Sequence, residues 1–197
     1  ELIFWVGESL ETFLEHPLET LGSDAEIVEL IHSEGVTTLA YREGGAYESH
    51  DHEEHAGETH EADDHAHGHD EEGADPHVWL DPRNAGAMIG AIAGALSTAD
   101  PENAEKYEAN ASAAVARITA LDEALARELD PVSNRPFIAF HDGYQYFETR
   151  YGLTSAGSIT ASPDRAPGAA RIREMRDKVR SAGAVCVFSE PEFESSL

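Results

Sequence analysis

Apolar positions along the chain change period several times, and each change marks an element. Residues 2–6, Leu-Ile-Phe-Trp-Val, form a compact apolar run closed by Gly7, the pattern of a short buried strand. Residues 9–14 and 25–32 then carry helical spacing, with Ser23 or Asp24 placed to cap the second helix. Residues 36–41 read as another strand, after which a long polar tract runs to Asp75-Pro76. Strand, helices, strand is the order of a parallel α/β layer. Pro82 opens a helix rich in small residues, AGAMIGAIAGAL, suited to close packing against a neighbour.

Asp100-Pro101-Glu102 combines a cap, a proline at the first helical position and an acid in the first turn. From there Tyr107, Ala111, Ala114, Val115, Ile118, Leu121, Leu125 and Leu129 follow one stripe. The stripe predicts a helix over 101–129, about 40 Å long at 1.5 Å per residue. Such a helix can cross between two lobes or lie along a single domain. After Pro131 the alternation resumes, with strands at 137–140, 153–160 and 185–189 and helices at 144–151 and 171–181. The preferred architecture is α/β, with two parallel-sheet α/β lobes joined by a long rigid helix. The lobes fall at 1–97, including a flexible loop at 43–75, and at 131–197, with the linker helix over 98–130.

The polar tract adds chemistry to this outline. Between residues 50 and 69 stand seven histidines, His50, His52, His55, His60, His65, His67 and His69, among carboxylates and without a lysine or arginine. Imidazole and carboxylate together suit borderline divalent metals, zinc above all. Nothing apolar and larger than alanine occurs between His50 and Asp75, so the tract cannot bury a core and is expected to be mobile. Its bland reading is a solvated insertion whose histidines are incidental.

The formal charge is −26, and twelve of the 39 acids lie between Glu48 and Asp75. That balance disfavours nucleic acid or an anionic membrane as partner and suits a cation binder. One cysteine, Cys186, excludes an internal disulfide or a CxxC centre, and no apolar run is long enough for a membrane span. The chain opens without a signal peptide, directly on a strand, and stops just after another, so both ends read as cuts through a longer protein.

Two isolated histidines are better mounted than the tract. His77 sits in the stiff segment Asp-Pro-His-Val-Trp-Leu-Asp-Pro, where a nearby acid or carbonyl can orient its second ring nitrogen. It equally suits a turn histidine capping the next helix. His141 leaves the strand FIAF, and ligands of α/β folds gather at the carboxyl ends of parallel strands. A buried histidine satisfied by backbone groups fits the same position. Glu190 also follows a strand and suits a turn or interface role more readily than a ligand role. Tyr144, Tyr146, Phe147 and Tyr151 read as the core face of a helix rather than an aromatic binding box, and His16 and His32 as surface or partly buried residues. No nucleophile elbow, HExxH helix or Gly-rich phosphate loop is present, so an enzyme is not expected.

Four segments, ELIFWVGESLETFL, DPHVWLDPRNA with DPENAEKYEANA, FHDGYQYFETRYGL and FSEPEF, resemble the metal-binding cluster of ABC-transporter solute-binding proteins, in its zinc branch. The resemblance covers the chain outside the histidine-rich loop, itself a mark of that branch. It implies two α/β lobes on one rigid helix with Zn²⁺ in the cleft. It further implies a monomer outside the cytoplasmic membrane, in the periplasm, that delivers zinc to a membrane permease. His77 and His141 match two ligands. Manganese-type relatives typically carry glutamate at the second position, so His141 favours zinc, in keeping with nitrogen-donor preference. A further histidine normally precedes the first strand and an aspartate often lies beyond the last, so the site within these residues is expected to be incomplete. Cys186 matches a position that in some members pairs with a later cysteine. The alternatives are a metal buffer or metallochaperone centred on the loop, and a manganese-type binding protein or adhesin.

Overall fold

The computed structural model describes residues 1–21, 24–42, 73–160 and 168–191. The histidine-rich tract, with His50, His52, His55, His60, His65, His67 and His69, lies outside them. Among the described residues there are two parallel sheets. In the first, β1 (Leu2–Trp5) pairs with β2 (Glu26–Glu29), Leu2 opposite Glu26 and Trp5 opposite Glu29. In the second, β3 (Phe137–His141) is central, flanked by β4 (Ser155–Thr160) and β5 (Cys186–Val187). A bulge shifts the β3–β4 register between Phe137 and Ala139, and the bulged strand carries Gly157 at φ 126°, backbone that a side chain would strain.

The long helices match their sequence signals. Asp81 caps α2 (Pro82–Ala99) by accepting from the Arg83 backbone N–H, and Pro82 takes the first helical position. A tight turn at Pro101–Asn103 follows, where the Asp100 carboxylate accepts from the Asn103 amide and the Tyr107 hydroxyl. Then α3 (Ala104–Leu129) runs for 26 residues, about 39 Å, packed along α2. No α3 residue is fully buried, so its stripe forms one half-covered seam. Beyond it come α4 (Gln145–Tyr151), ended by Gly152 in the left-handed region, and α5 (Ala169–Ala182) against β4. Leu30, Ile31, Val78, Met88 and Tyr146 form one core, over which Phe4, Val6, Val28, Val36 and Leu39 pack. Ile138, Ala139, Phe140 and Met175 are buried in the second sheet's layer.

Three sequence expectations fail locally. Residues 9–14 do not form a helix: Thr12–Leu14 is a single tight turn, and the first helix, α1, is Glu15–Leu21. Glu11 is instead drawn back to the strand exit, where its carboxylate accepts from the Val6 and Gly7 backbone N–H groups. Residues 25–32 are not a helix either. Residues 26–29 are the partner that β1 requires for its backbone groups, and Leu30–His32 is a short turn. Among the described residues, 36–41 join neither sheet, and Ala40 makes an isolated antiparallel bridge with Ala74. Side chains satisfy the segment: Asn84 accepts from Thr37 N–H and donates to the Thr37 carbonyl, and the Tyr146 hydroxyl accepts from Leu39 N–H.

Candidate metal site

His77 begins the short turn that leads into α2, and His141 is the last residue of β3. Far apart in sequence, their rings come within 5.4 Å, centroid to centroid. Each Nδ1 is held by a carboxylate. For His77 the partner is Asp75 Oδ1 at 2.6 Å, an oxygen that also accepts from the His77 backbone N–H at 3.0 Å. For His141 it is Glu190, with Oε1 at 2.6 Å and Oε2 at 2.7 Å. An ionised carboxylate only accepts, so in both rings Nδ1 is the donor, and the neutral imidazole then has its lone pair at Nε2.

Both lone pairs face one small space beside Gly143. A Cβ at Gly143 would lie 2.4 Å from His141 Nε2 and 3.0 Å from His77 Nε2. Only the absence of a side chain there keeps the space open. Trp79 and Tyr144 flank the pair, with ring centroids 5.6 Å from His77 and 5.8 Å from His141 respectively. The Tyr144 hydroxyl also donates to Glu190 Oε1 at 3.3 Å. Imidazole nitrogens backed by carboxylates are the usual ligand arrangement for zinc, the carboxylate fixing ring orientation and raising ligand basicity.

The orienting carboxylates are buried. Asp75 is 2 % exposed and Glu190 9 %. Tyr146, on α4, donates to the Asp75 carbonyl at 2.7 Å, and burial pushes its hydroxyl up to about 12. Arg42 pairs with Asp142, next to His141, and with Glu148 on α4. Burial opposes the Arg42 charge, but the two carboxylates outweigh it and hold its pKa above the usual arginine value. At Glu148 burial is the larger influence and raises the carboxyl despite Arg42.

The sequence singled out His77, His141 and Glu190, and the fold brings all three together. Glu190 touches His141 rather than the shared space. His16 and His32 sit apart from them, near Glu19 and Glu29. Tyr146 is core as expected, whereas Tyr144 precedes α4 and borders the site. Arg42, Asp142 and Glu148 went unnoticed, although Arg42 is the last cation before Arg83 and so stands out. Among the described residues, no group of three or more His, Cys, Asp or Glu is placed to hold a metal ion, and the Cys186 thiol is free and exposed. No described helix is long and apolar enough to cross a membrane.

Two parallel-sheet α/β units, with His141 at a strand exit and His77 at a turn beside it, are the architecture of two-lobe α/β binding proteins. Solved structures share that fold. Zn(II)-bound mutant AdcAII of Streptococcus pneumoniae superposes with a TM-score of 0.70 at 24 % identity, over 95 % of this chain and 62 % of that one. A mutant of the laminin-binding adhesin Lmb from Streptococcus agalactiae gives 0.74 at 21 % identity, over 100 % of this chain and 64 % of that one. In sequence, the chain is 49 % identical over 214 aligned positions to the high-affinity zinc uptake system protein ZnuA of Brucella abortus. That alignment takes in 100 % of this chain and 64 % of the relative's length, so the chain spans somewhat under two thirds of it. The family described as zinc-uptake complex component A, periplasmic, matches residues 1–197, and the chain belongs to that family.

Proposed function

We propose that the protein is the zinc-capturing component of an ABC-type uptake system. It takes Zn²⁺ outside the cytoplasmic membrane, in the periplasm, as a monomer and passes it to a membrane permease, with no catalytic step of its own. His77 and His141 bind the ion through Nε2, and Asp75 and Glu190 orient them. The observation that carries this reading is the pair of lone pairs converging beside Gly143, each backed by a carboxylate. Zinc takes about four ligands, so further donors complete the shell. In the proposed organisation residues 1–97 and 131–197 are the lobes and 98–130 the linker. The histidines of the tract, from His50 to His69, act as weaker collectors.

The test is zinc titration of the full-length protein against a competing chelator. His77→Ala and His141→Ala should each remove the tightest site, while deletion of residues 48–72 should leave it. If the deletion removed the tightest site and the two alanine variants kept it, the protein would be a loop-centred metal buffer.

A further inference from the structure

Two cross-links tie the chain around His77 to the chain around His141. One is Tyr146, whose hydroxyl accepts from Leu39 N–H at 2.8 Å and donates to the Asp75 carbonyl at 2.7 Å. The other is Arg42. Its Nη2 reaches Asp142 Oδ1 and its Nη1 reaches Glu148 Oε2. Both acids are buried, with side chains 3 % and 6 % exposed, and the Arg42 side chain is 18 % exposed. On one side Arg42 follows the strap of Ala40 on Ala74, which is closed by bonds from Tyr41 N–H to the Gly73 carbonyl and from Asp75 N–H to the Leu39 carbonyl. That strap carries Asp75, the orienting partner of His77. On the other side Asp142 directly follows His141, and its own N–H donates to the Thr160 carbonyl at 3.1 Å.

We propose that Arg42 is a positioning residue for metal binding, setting the separation of the two imidazoles without touching the ion. The proposal rests on His77 and His141 being ligands. A guanidinium fork reaches two carboxylates at once in a fixed plane, which a lysine cannot do. Buried ion pairs contribute little net stability compared with apolar packing, and what they can supply is a fixed geometry. Without Arg42, Asp142 and Glu148 would lose the guanidinium charge they share, and the like charges of two buried acids would face each other on the His141 side. Hydration and mutual repulsion would draw them apart, moving the end of β3 and the His141 ring relative to the strap.

The experiment uses the full-length protein and compares Arg42→Met, Arg42→Lys, Arg150→Met and His141→Ala. Arg150 is a comparator because it ties α4 to Asp122 of α3 rather than to Asp142 or Glu148. Zinc affinity is read by chelator competition, and site geometry by the visible absorption of bound Co²⁺. Arg42→Met should weaken zinc about 10- to 100-fold, as loss of outer-shell support generally does, and alter the Co²⁺ bands. Arg42→Lys should recover part of the affinity, whereas Arg150→Met should lower thermal stability and leave affinity and bands unchanged. Wild-type affinity and spectrum in both Arg42 variants, with His141→Ala failing to bind, would overturn the positioning role alone. Tight binding by His141→Ala would overturn the ligand assignment and the positioning role together.

Discussion

Replacing Glu190 by glutamine separates a carboxylate that orients a ligand from one that is a ligand. His141 Nδ1 lies 2.6 and 2.7 Å from the two Glu190 oxygens, the short range of charge-assisted bonds. Glutamine keeps the shape and can still accept one hydrogen bond from Nδ1, but it loses the charge. A hydrogen bond to a charged group contributes about 1.5–3 kcal/mol and a neutral one about 0.5–1.5. The difference is about 1–1.5 kcal/mol, or roughly tenfold in zinc affinity at 1.36 kcal/mol per decade. Glu190→Ala removes the bond altogether and should cost about 10- to 100-fold. Chelator competition on the full-length protein measures both. A loss in Glu190→Gln as large as that in His141→Ala would make Glu190 a ligand. No loss in either Glu190 variant would refute the account of how His141 is held.

Two further expectations follow from the same geometry. Gly143→Ala places a methyl group 2.4 Å from His141 Nε2, so the ring must shift. Zinc binding read by chelator competition should be largely abolished, and the unfolding temperature of the metal-free protein should fall as well. Tight binding by that variant would show that the metal does not occupy the space between the rings. Asp122 accepts from Arg150 at 3.0 Å and from the Tyr151 hydroxyl at 3.0 Å, and chiefly the Arg150 bond lowers its pKa. A lowered folded-state pKa stabilises above the ordinary aspartate value and ceases to do so as pH falls through the folded value. Asp122→Asn should therefore be less stable by about 1–2 kcal/mol at pH 7, and the gap should close under acid conditions. A gap that is constant with pH in urea unfolding would contradict this.

Legibility from sequence varied with the range of the interactions involved. Helix α3 was readable because its stripe repeats over 26 residues and its start carries a proline and acids, all local features. Strand β3 was readable from its continuous apolar run. Residues 25–32 misled because an eight-residue window containing Ile27, Val28, Leu30 and Ile31 fits either period. Its partner β1 decides the outcome. Residues 36–41 read as a strand, yet Asn84 and Tyr146, distant in sequence, bind the Thr37 and Leu39 backbone groups in place of a sheet neighbour.

At the site, the chain by itself determined which side chains have the right chemistry and which of them sit on stiff or strand-end positions. His77 between two prolines and His141 after FIAF can be read from a few neighbours each. Only tertiary structure decided that the rings meet, that Asp75 and Glu190 each accept a hydrogen bond from an Nδ1, that Gly143 leaves the space between them, and that Arg42 spans the two sides. Composition and local spacing depend on residues within a turn or two. The convergence of His77, His141 and Glu190 depends on how Tyr146, on the helix after β3, joins the core of Leu30, Ile31, Val78 and Met88, and no local pattern encodes that distance.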